Sequence, residues 1–137
     1  DGLAINKYLD PEPLDGHRGD NDHIYMRFAD VLLLAAEAIN RSNGGPNAVA
    51  YEYVNRVRNR AGIADLTPGL DQMAFEDALL EERALELAYE GHRKFDLIRT
   101  DQLVDVMAER GIDITREDYL MPIPQSILDE LGWTNNP

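Results

Sequence analysis

Apolar residues recur at helical spacing in two consecutive segments, which are separated by a short Ser-Asn-Gly-Gly-Pro turn at residues 42–46. The first segment predicts a helix over residues 27–41. The second predicts a helix that Asn47 caps and that Gly62 ends in a left-handed conformation. A turn this short makes the two helices antiparallel neighbours. The sequence therefore predicts a mainly α protein built on a helical hairpin.

The same spacing predicts which side of each helix is buried. In the first helix we expect a buried stripe of Phe28, Leu32, Ala35 and Ile39, and an opposite exposed side with Asp30, Glu37 and Arg41. We expect Glu37 and Arg41 to form an ordinary surface ion pair. In the second helix the predicted buried stripe is Ala50, Val54, Val57 and Ala61, and the predicted exposed charge ladder is Glu52, Arg56 and Arg60. The 34 residues of this hairpin equal the length of a tetratricopeptide repeat, although the signature residues of that repeat are absent.

Further elements follow from breaks in the pattern. Residues 1–23 predict a short strand and a long acidic loop. Asp71 is expected to begin a long third helix that reaches Tyr89. This helix is apolar on nearly all sides, so we expect it to be central. Residues 102–110 predict a short fourth helix. The prolines in residues 119–124 forbid a helix there, so we expect an extended edge segment lying against the core. A capping box of Ser126 with Asp129 predicts a last helical turn that ends before Gly132.

Charge and cysteine content exclude several classes of function. The 13 basic and 26 acidic side chains give a formal net charge of −13, which argues against binding to nucleic acid because such binding needs a positive field. The absence of cysteine removes disulfides, zinc–thiolate sites, iron–sulfur clusters and thiol nucleophiles. The sequence contains no run of 18 apolar residues, so it predicts no membrane-spanning helix.

Three glutamates are the main candidates for chemistry. Glu82, Glu86 and Glu90 project onto the predicted buried side of the third helix, together with Phe75, Leu79 and Tyr89. Such carboxylates serve elsewhere as general acids and bases or as metal ligands. The di-metal signature is missing, because positions 85, 89 and 93 hold no histidine. We therefore favour a structural ion-pair network with nearby arginines, namely Arg58, Arg83, Arg93 and Arg99.

The remaining candidates carry weaker signals. His92 has no serine or cysteine nucleophile in a recognisable turn near it, so a catalytic role is disfavoured. Asp15, Asp20 and Asp22 could hold calcium, but Ile24 and Tyr25 occupy positions where such a loop needs an oxygen ligand and a glycine. A solvated turn is the competing interpretation. Trp133 is the single tryptophan and the tyrosines are dispersed, with Tyr53 and Tyr89 expected in packing, so the segment predicts no carbohydrate site of its own.

Four blocks then stand out in order along the chain. They are residues 26–38 (MRFADVLLLAAEA), 54–62 (VNRVRNRAG), 82–99 (ERALELAYEGHRKFDLIR) and 120–125 (LMPIPQ). Together they resemble the C-terminal part of the SusD/RagB family, the outer-membrane nutrient-binding lipoproteins of starch-utilisation-type systems. The resemblance implies a tetratricopeptide-like helical scaffold with short extended N- and C-terminal segments. It also implies an extended segment and acidic loop over residues 1–24 and a helical region over residues 25–137 that belongs to a longer chain.

The resemblance carries a functional expectation as well. It implies a surface-exposed, non-catalytic protein of the outer membrane that captures glycans or other nutrients and works with a TonB-dependent, SusC-like transporter. No metal or cofactor is expected, and ligand contacts are expected in segments outside this chain. The lattice of structural charges would consist of Arg58, Glu82, Arg83, Glu86, Glu90, Arg93, Asp96 and Arg99. The main alternative is a free-standing helical-repeat module that binds a protein or peptide, and the third is a helical carbohydrate-active enzyme that uses two of the glutamates.

Overall fold

The computed structural model describes residues 7–10, 12 and 21–135. These residues are helical and contain no strand, which confirms the prediction of a mainly α fold. The helices are α1 (Phe28–Asn43), α2 (Ala48–Arg60), α3 (Gln72–Glu86), α4 (Arg93–Arg99), α5 (Leu103–Ala108) and α6 (Gln125–Leu131), with a 3-10 turn at Arg116–Tyr119. The predicted N-terminal strand lies outside the described residues.

The chain divides into two compact units, one up to Arg93 and one from Lys94 onwards. The division predicted at residues 24 and 25 stays a prediction. In the first unit, α1, α2 and α3 pack together around one apolar core. Its members are Leu32, Leu33, Ala36, Ala50, Val54, Val57, Phe75 and Leu79.

The α1–α2 hairpin forms as its turn chemistry predicts. α1 ends at Asn43, and the next residue, Gly44, has a left-handed φ of 69°, which is cheap only for glycine. The Asn47 side chain accepts hydrogen bonds of 3.0 Å from the backbone N–H groups of Val49 and Ala50, so it caps α2 as predicted. Gly62, with a φ of 76°, follows the end of α2. Local turn and cap residues therefore fix the antiparallel arrangement of the hairpin.

The predicted orientation of α1 is largely wrong. Asp30 and Glu37 are buried, with 3% and 4% of their surfaces exposed, whereas Phe28 is 61% exposed. Ala35 and Ile39 are only half-buried. The inward carboxylates are tolerated because each contacts a guanidinium: Asp30 binds Arg83 at 2.8 Å, and Glu37 binds Arg41 at 2.9 Å. The predicted Glu37–Arg41 pair thus exists, but its carboxylate lies in the interior and not on the surface.

The third helix is shorter than predicted. α3 begins after Asp71, whose side chain accepts a 2.8 Å hydrogen bond from the N–H of Ala74, and it ends at Glu86. Tyr89 adopts a left-handed φ of 66° and is exposed, so the expectation that it packs in the core is wrong. Tyr53 does pack against the core. Residues after the break form the separate helix α4, which the sequence pattern did not predict.

In the second unit Leu97, Leu103 and Leu128 are buried. α6 ends before the left-handed Gly132, as predicted, but Pro124 precedes the helix and no side chain caps it. The predicted Ser126–Asp129 capping box is wrong, since Asp129 instead accepts a 2.8 Å hydrogen bond from Gln125. Residues 120–124 are non-helical as predicted, yet the expectation that they lie against the core is wrong for Leu120 and Met121, which are exposed.

Candidate functional site

The three glutamates of the predicted site lie at the C-terminal end of α3 and in the residues that follow it. Glu82 and Glu86 are buried, and the side chain of Glu90 is only 5% exposed. Each carboxylate contacts at least one cationic side chain. Glu82 Oε2 lies 2.6 Å from Arg58 Nη1, and Arg58 Nε also donates to the carbonyl of Ala64 at 2.7 Å. The buried negative charges are therefore compensated where they occur.

Glu86 and Glu90 share one guanidinium and form a cluster with three cations. We call this set the Arg27 cluster; its members are Lys7, Arg27, Arg60, Glu86 and Glu90. Arg27 donates through Nη1 to Glu86 at 2.5 Å and through Nε to Glu90 at 2.8 Å. Arg60 Nη2 reaches the second oxygen of Glu86 at 2.6 Å. Both Glu86 oxygens and both Glu90 oxygens thus accept charge-assisted hydrogen bonds.

The same cations cover the end of α3. The ammonium of Lys7 donates to Glu90 at 2.6 Å and to the backbone carbonyls of Glu86 and Ala88 at 2.8 and 2.9 Å. Arg27 Nη2 also donates to the Glu86 carbonyl. The last carbonyls of a helix have no partner within the helix and carry the negative end of its dipole. The cluster therefore stabilises the end of α3 as well as the two carboxylates.

A cleft of about 390 Å³ opens beside the Arg27 cluster. Tyr8, Ile24 and Leu85 form its apolar wall, and the charged members of the cluster form the rest. The carboxylates facing it are already engaged by guanidinium and ammonium groups. The Glu86 and Glu90 carboxylates therefore act here as hydrogen-bond acceptors for the cations of the cluster.

The pKa values of Glu90 and Arg27 follow from two opposing effects. Burial raises the pKa of the Glu90 carboxyl, but the hydrogen bonds from Arg27 and Lys7 outweigh it, so the net pKa lies below the ordinary value of 4.5. Burial likewise lowers the pKa of Arg27, while its hydrogen bonds to Glu90 and Glu86 raise it, with a net upward direction. Both groups are therefore held in their charged forms.

Glu90→Gln is expected to destabilise the chain at neutral pH and to matter less in acid. Removing the charge weakens hydrogen bonds that are worth about 1.5–3 kcal/mol when one partner is ionised. Because the folded pKa of Glu90 is lowered, its contribution is complete above the ordinary value of 4.5 and is lost as pH falls through the folded pKa. Urea unfolding of both proteins between pH 7 and pH 3 should show the stability difference shrinking. Glu109→Gln, at an exposed position, is the control, and a difference independent of pH would contradict the assignment.

The other predicted members are distributed differently. Arg83 pairs with Asp30 at 2.8 Å, and both side chains are buried. Arg93 donates to the carbonyl of Leu80 at 3.1 Å. Asp96 and Arg99 bind each other at 2.7 Å within the second unit. The eight predicted residues thus occupy several separate contacts, and the role of this set as a structural lattice stays a proposal.

Four residues that take part in these ion pairs were not predicted as partners from the sequence. Lys7, Arg27 and Asp30 were not among the predicted partners, and Arg60 was expected on an exposed ladder. Arg60 is indeed two-thirds exposed along its side chain, but its tip reaches Glu86. Lys7 and Arg27 lie 83 and 63 residues from Glu90, so no local spacing links them. The one available signal was that Arg27 is the second residue of the first of the four motif blocks.

Among the weaker candidates, the calcium loop stays a prediction, because only one of its three aspartates is described. Asp15 and Asp20 lie outside the described residues, and Asp22 is exposed. Among the residues that the structure describes, no group of three His, Asp or Glu side chains is arranged to hold a metal ion. His92 is half-buried and Trp133 is 61% exposed. In the described part of the chain, none of the helices is long and apolar enough to cross a membrane.

Fold and charge contacts together define an all-helical scaffold whose buried carboxylates are neutralised by arginine. Comparison with known proteins identifies which scaffold this is. The family model of the SusD family matches residues 1–132, and the chain belongs to that family, as its motifs indicated. The family thus accounts for the four sequence blocks and for the helical hairpin.

Curated relatives from Formosa agariphila show the extent of the match. SusD-like protein P25 is 42% identical over 76% of this chain and 20% of its own length, and SusD-like protein P2 is 34% identical over 98% of this chain and 31% of its own length. This chain therefore spans between a fifth and a third of the length of these relatives.

Solved structures of SusD-like proteins resemble this chain over most of its length. A SusD homologue from Bacteroides thetaiotaomicron shares 35% identity with a TM-score of 0.63, over 82% of this chain and 26% of the other. A SusD superfamily protein from Bacteroides vulgatus shares 28% identity with a TM-score of 0.68, over 78% and 25%. A structure described as a laminarin-binding SusD-like protein shares 35% identity with a TM-score of 0.67, over 82% and 22%. The fold of this chain is thus a part of the SusD fold.

Proposed function

We propose that this chain is the C-terminal helical scaffold of a non-catalytic glycan-binding protein at the outer surface of a bacterial outer membrane. The observation that carries the proposal is membership of the SusD family together with similarity to a laminarin-binding member of that family. The chain spans only part of its relatives, so the glycan contacts are assigned to the rest of the polypeptide. Within this proposal, a TonB-dependent, SusC-like transporter is the partner that receives the captured glycan.

The contacts of the acidic residues favour a structural role over a catalytic one. Hydrolysis of a glycosidic bond requires one carboxyl group that is protonated near neutral pH and a second that faces the substrate. Glu82 and Glu86 instead bind arginine at 2.5–2.6 Å, and the pKa of Glu90 is lowered. The Glu82 and Glu86 carboxylates are thus occupied by arginine. We assign them to holding α3 against α1 and α2.

Binding and turnover should be measured on the full-length protein that contains this chain. Titration calorimetry against laminarin-, starch-, mannan- and pectin-derived oligosaccharides is expected to give binding to at least one class, with no increase in reducing ends. Glu82→Gln should lower the melting temperature and leave glycan affinity unchanged, whereas Glu117→Gln, at an exposed position, should change neither. A hydrolytic activity that Glu82→Gln abolishes at unchanged stability would overturn the proposal and favour the enzyme.

Membrane location and partner need a separate measurement. The full-length protein, purified from outer membranes in mild detergent, is expected to bring a TonB-dependent transporter with it. A protein found in the soluble fraction, with no glycan affinity and with affinity for a peptide or protein, would favour the helical-repeat module instead.

A further inference from the structure

The turn that joins α1 to α2 contains the pair Asn43 and Gly44. Asn43 is the last residue of α1, and both residues are exposed. Turns between helices run over the protein surface, where water reaches the Asn43 amide. Among the described residues, the Asn43 side chain has one hydrogen-bond contact, in which its Oδ1 atom lies 3.4 Å from Ser42 Oγ. A contact of this length is weak, so the amide is not held in one orientation.

An asparagine followed by glycine is prone to a spontaneous reaction. The backbone nitrogen of the next residue attacks the side-chain carbonyl carbon, Cγ, and closes a succinimide ring. Most residues hinder this attack with their own side chain, whereas Gly44 has none. Apart from the adjoining residues of the chain, no heavy atom of the described structure lies within 4 Å of the place where a Cβ on Gly44 would stand. Packing therefore does not restrict the movement that ring closure requires.

The atoms and bonds of this reaction balance with water as the co-reactant. The Gly44 nitrogen releases its proton to solvent, the bond from that nitrogen to Cγ forms, and the bond from Cγ to Nδ2 breaks, so that Nδ2 leaves as ammonia. Water then opens the ring. Attack at Cγ gives aspartate, whereas attack at the backbone carbonyl carbon of residue 43 gives isoaspartate, in which the chain runs through Cβ and Cγ. Both products carry a carboxyl group in place of the amide.

The fold controls when the attack occurs. The N–H of Gly44 donates to the carbonyl of Asn40, and the N–H of Gly45 donates to the same carbonyl at 2.9 Å. The attacking nitrogen is thus engaged while α1 is intact, and Asn43 must leave its helical conformation before Cγ meets that nitrogen. Helix ends fray, and local opening there costs little free energy. We propose that Asn43 is a site of spontaneous deamidation and that opening of the last turn of α1 sets its rate.

Deamidation alters the end of α1 in two ways. A carboxylate at residue 43 lies at the negative end of the α1 dipole, where an anion is unfavourable. Isoaspartate also lengthens the backbone by a methylene group, which displaces the N–H groups of Gly44 and Gly45 from the carbonyl of Asn40. Since these hydrogen bonds close the end of α1, modified molecules are expected to melt at a lower temperature. The inference does not depend on glycan binding.

The test follows the full-length protein that contains this chain during incubation in mildly alkaline buffer, both folded and unfolded in guanidinium. Peptide mapping by mass spectrometry measures conversion of amide to acid at each asparagine, and enzymatic methylation of isoaspartate identifies that product. Asn59 is the matched internal control, because it is exposed near the end of α2 but is followed by Arg60. In the folded protein, conversion at Asn43 is expected to be about ten-fold or more faster than at Asn59, since Gly44 has no side chain.

Conversion at Asn43 should be slower in the folded protein than in guanidinium by about three-fold or more, because α1 must open first. Absence of conversion at Asn43 in the folded protein, or a rate no higher than that of Asn59, would overturn the inference. Equal rates in the folded and unfolded protein would overturn control by α1.

The variant Asn43→Gln separates the reaction from other effects of ageing. It keeps an amide at the same exposed position, but its longer side chain does not close a succinimide ring. Incubation should lower the melting temperature of the wild-type protein and leave that of Asn43→Gln unchanged. An equal loss in both proteins would contradict the assignment to Asn43. Glycan affinity, measured on freshly purified protein, reports on the proposed function independently of these outcomes.

Discussion

Arg83→Met is expected to lower the free energy of unfolding of the chain by about 3–5 kcal/mol, the cost of removing one partner from a buried ion pair. Arg83 and Asp30 are both 3% exposed and lie 2.8 Å apart, so the change leaves the Asp30 carboxylate in the interior without that guanidinium. Urea unfolding followed by circular dichroism measures the loss.

Two further variants separate the ion pair from other effects of the substitution. The double variant Asp30→Ala with Arg83→Met should lose less stability than the sum of the single variants, since neither charge of this pair is left without the other. Arg116→Met is the matched control, because Arg116 and its partner Asp101 are exposed, and it should cost about 1 kcal/mol or less. A loss for Arg116→Met equal to that for Arg83→Met would show that burial of the pair is not the cause.

Phe75→Ala is expected to cost about 3–5 kcal/mol, as large-to-small substitutions of buried aromatic residues do. Phe75 is fully buried between the three helices of the first unit, and its ring lies 5.1 Å from that of Tyr51 in an edge-to-face arrangement. The substitution therefore removes apolar burial and an aromatic contact, and it leaves a cavity at the centre of the core. The midpoint of urea unfolding measures the effect.

Comparison with an exposed phenylalanine tests whether position in the core is the reason. Phe95 is 70% exposed, and Phe95→Ala should change stability by about 0.5 kcal/mol or less. Phe75→Leu keeps most of the volume and should cost about 1.5 kcal/mol or less. If Phe75→Ala and Phe95→Ala were equally destabilising, the assignment of α1, α2 and α3 to one shared core would be wrong.

The local elements of this fold could be predicted, because local chemistry determines them. The Asn47 cap and the left-handed Gly62 bound α2 where the pattern placed them. The four motif blocks likewise identified the family. These signals depend on residues a few positions apart, and such residues interact in the same way in most contexts.

The burial of α1 could not be predicted from periodicity, because periodicity treats a charged residue as a marker of solvent. Asp30 violates that assumption, since Arg83 compensates its charge from 53 positions away. The Arg27 cluster depends on similarly distant contacts. Leu120 and Met121 show the converse error: their apolar character predicted burial, but they lie exposed in the described structure. Tertiary contacts decide which apolar surfaces are buried, and the spacing of residues in the sequence does not encode those contacts.

The attachment of Lys7 to the end of α3 has a consequence for the order of folding. The α1–α2 hairpin closes through a turn of a few residues, whereas the contact between Lys7 and Glu90 closes a loop of 83 residues. Loop closure costs about 2 kcal/mol more in chain entropy for the longer loop than for one of about ten residues. The hairpin and α3 must therefore be in place before the ammonium of Lys7 has carbonyls to bind. We therefore expect this contact to form late in folding and to open early in unfolding, so that the last turn of α3 is uncovered before the core between the helices opens.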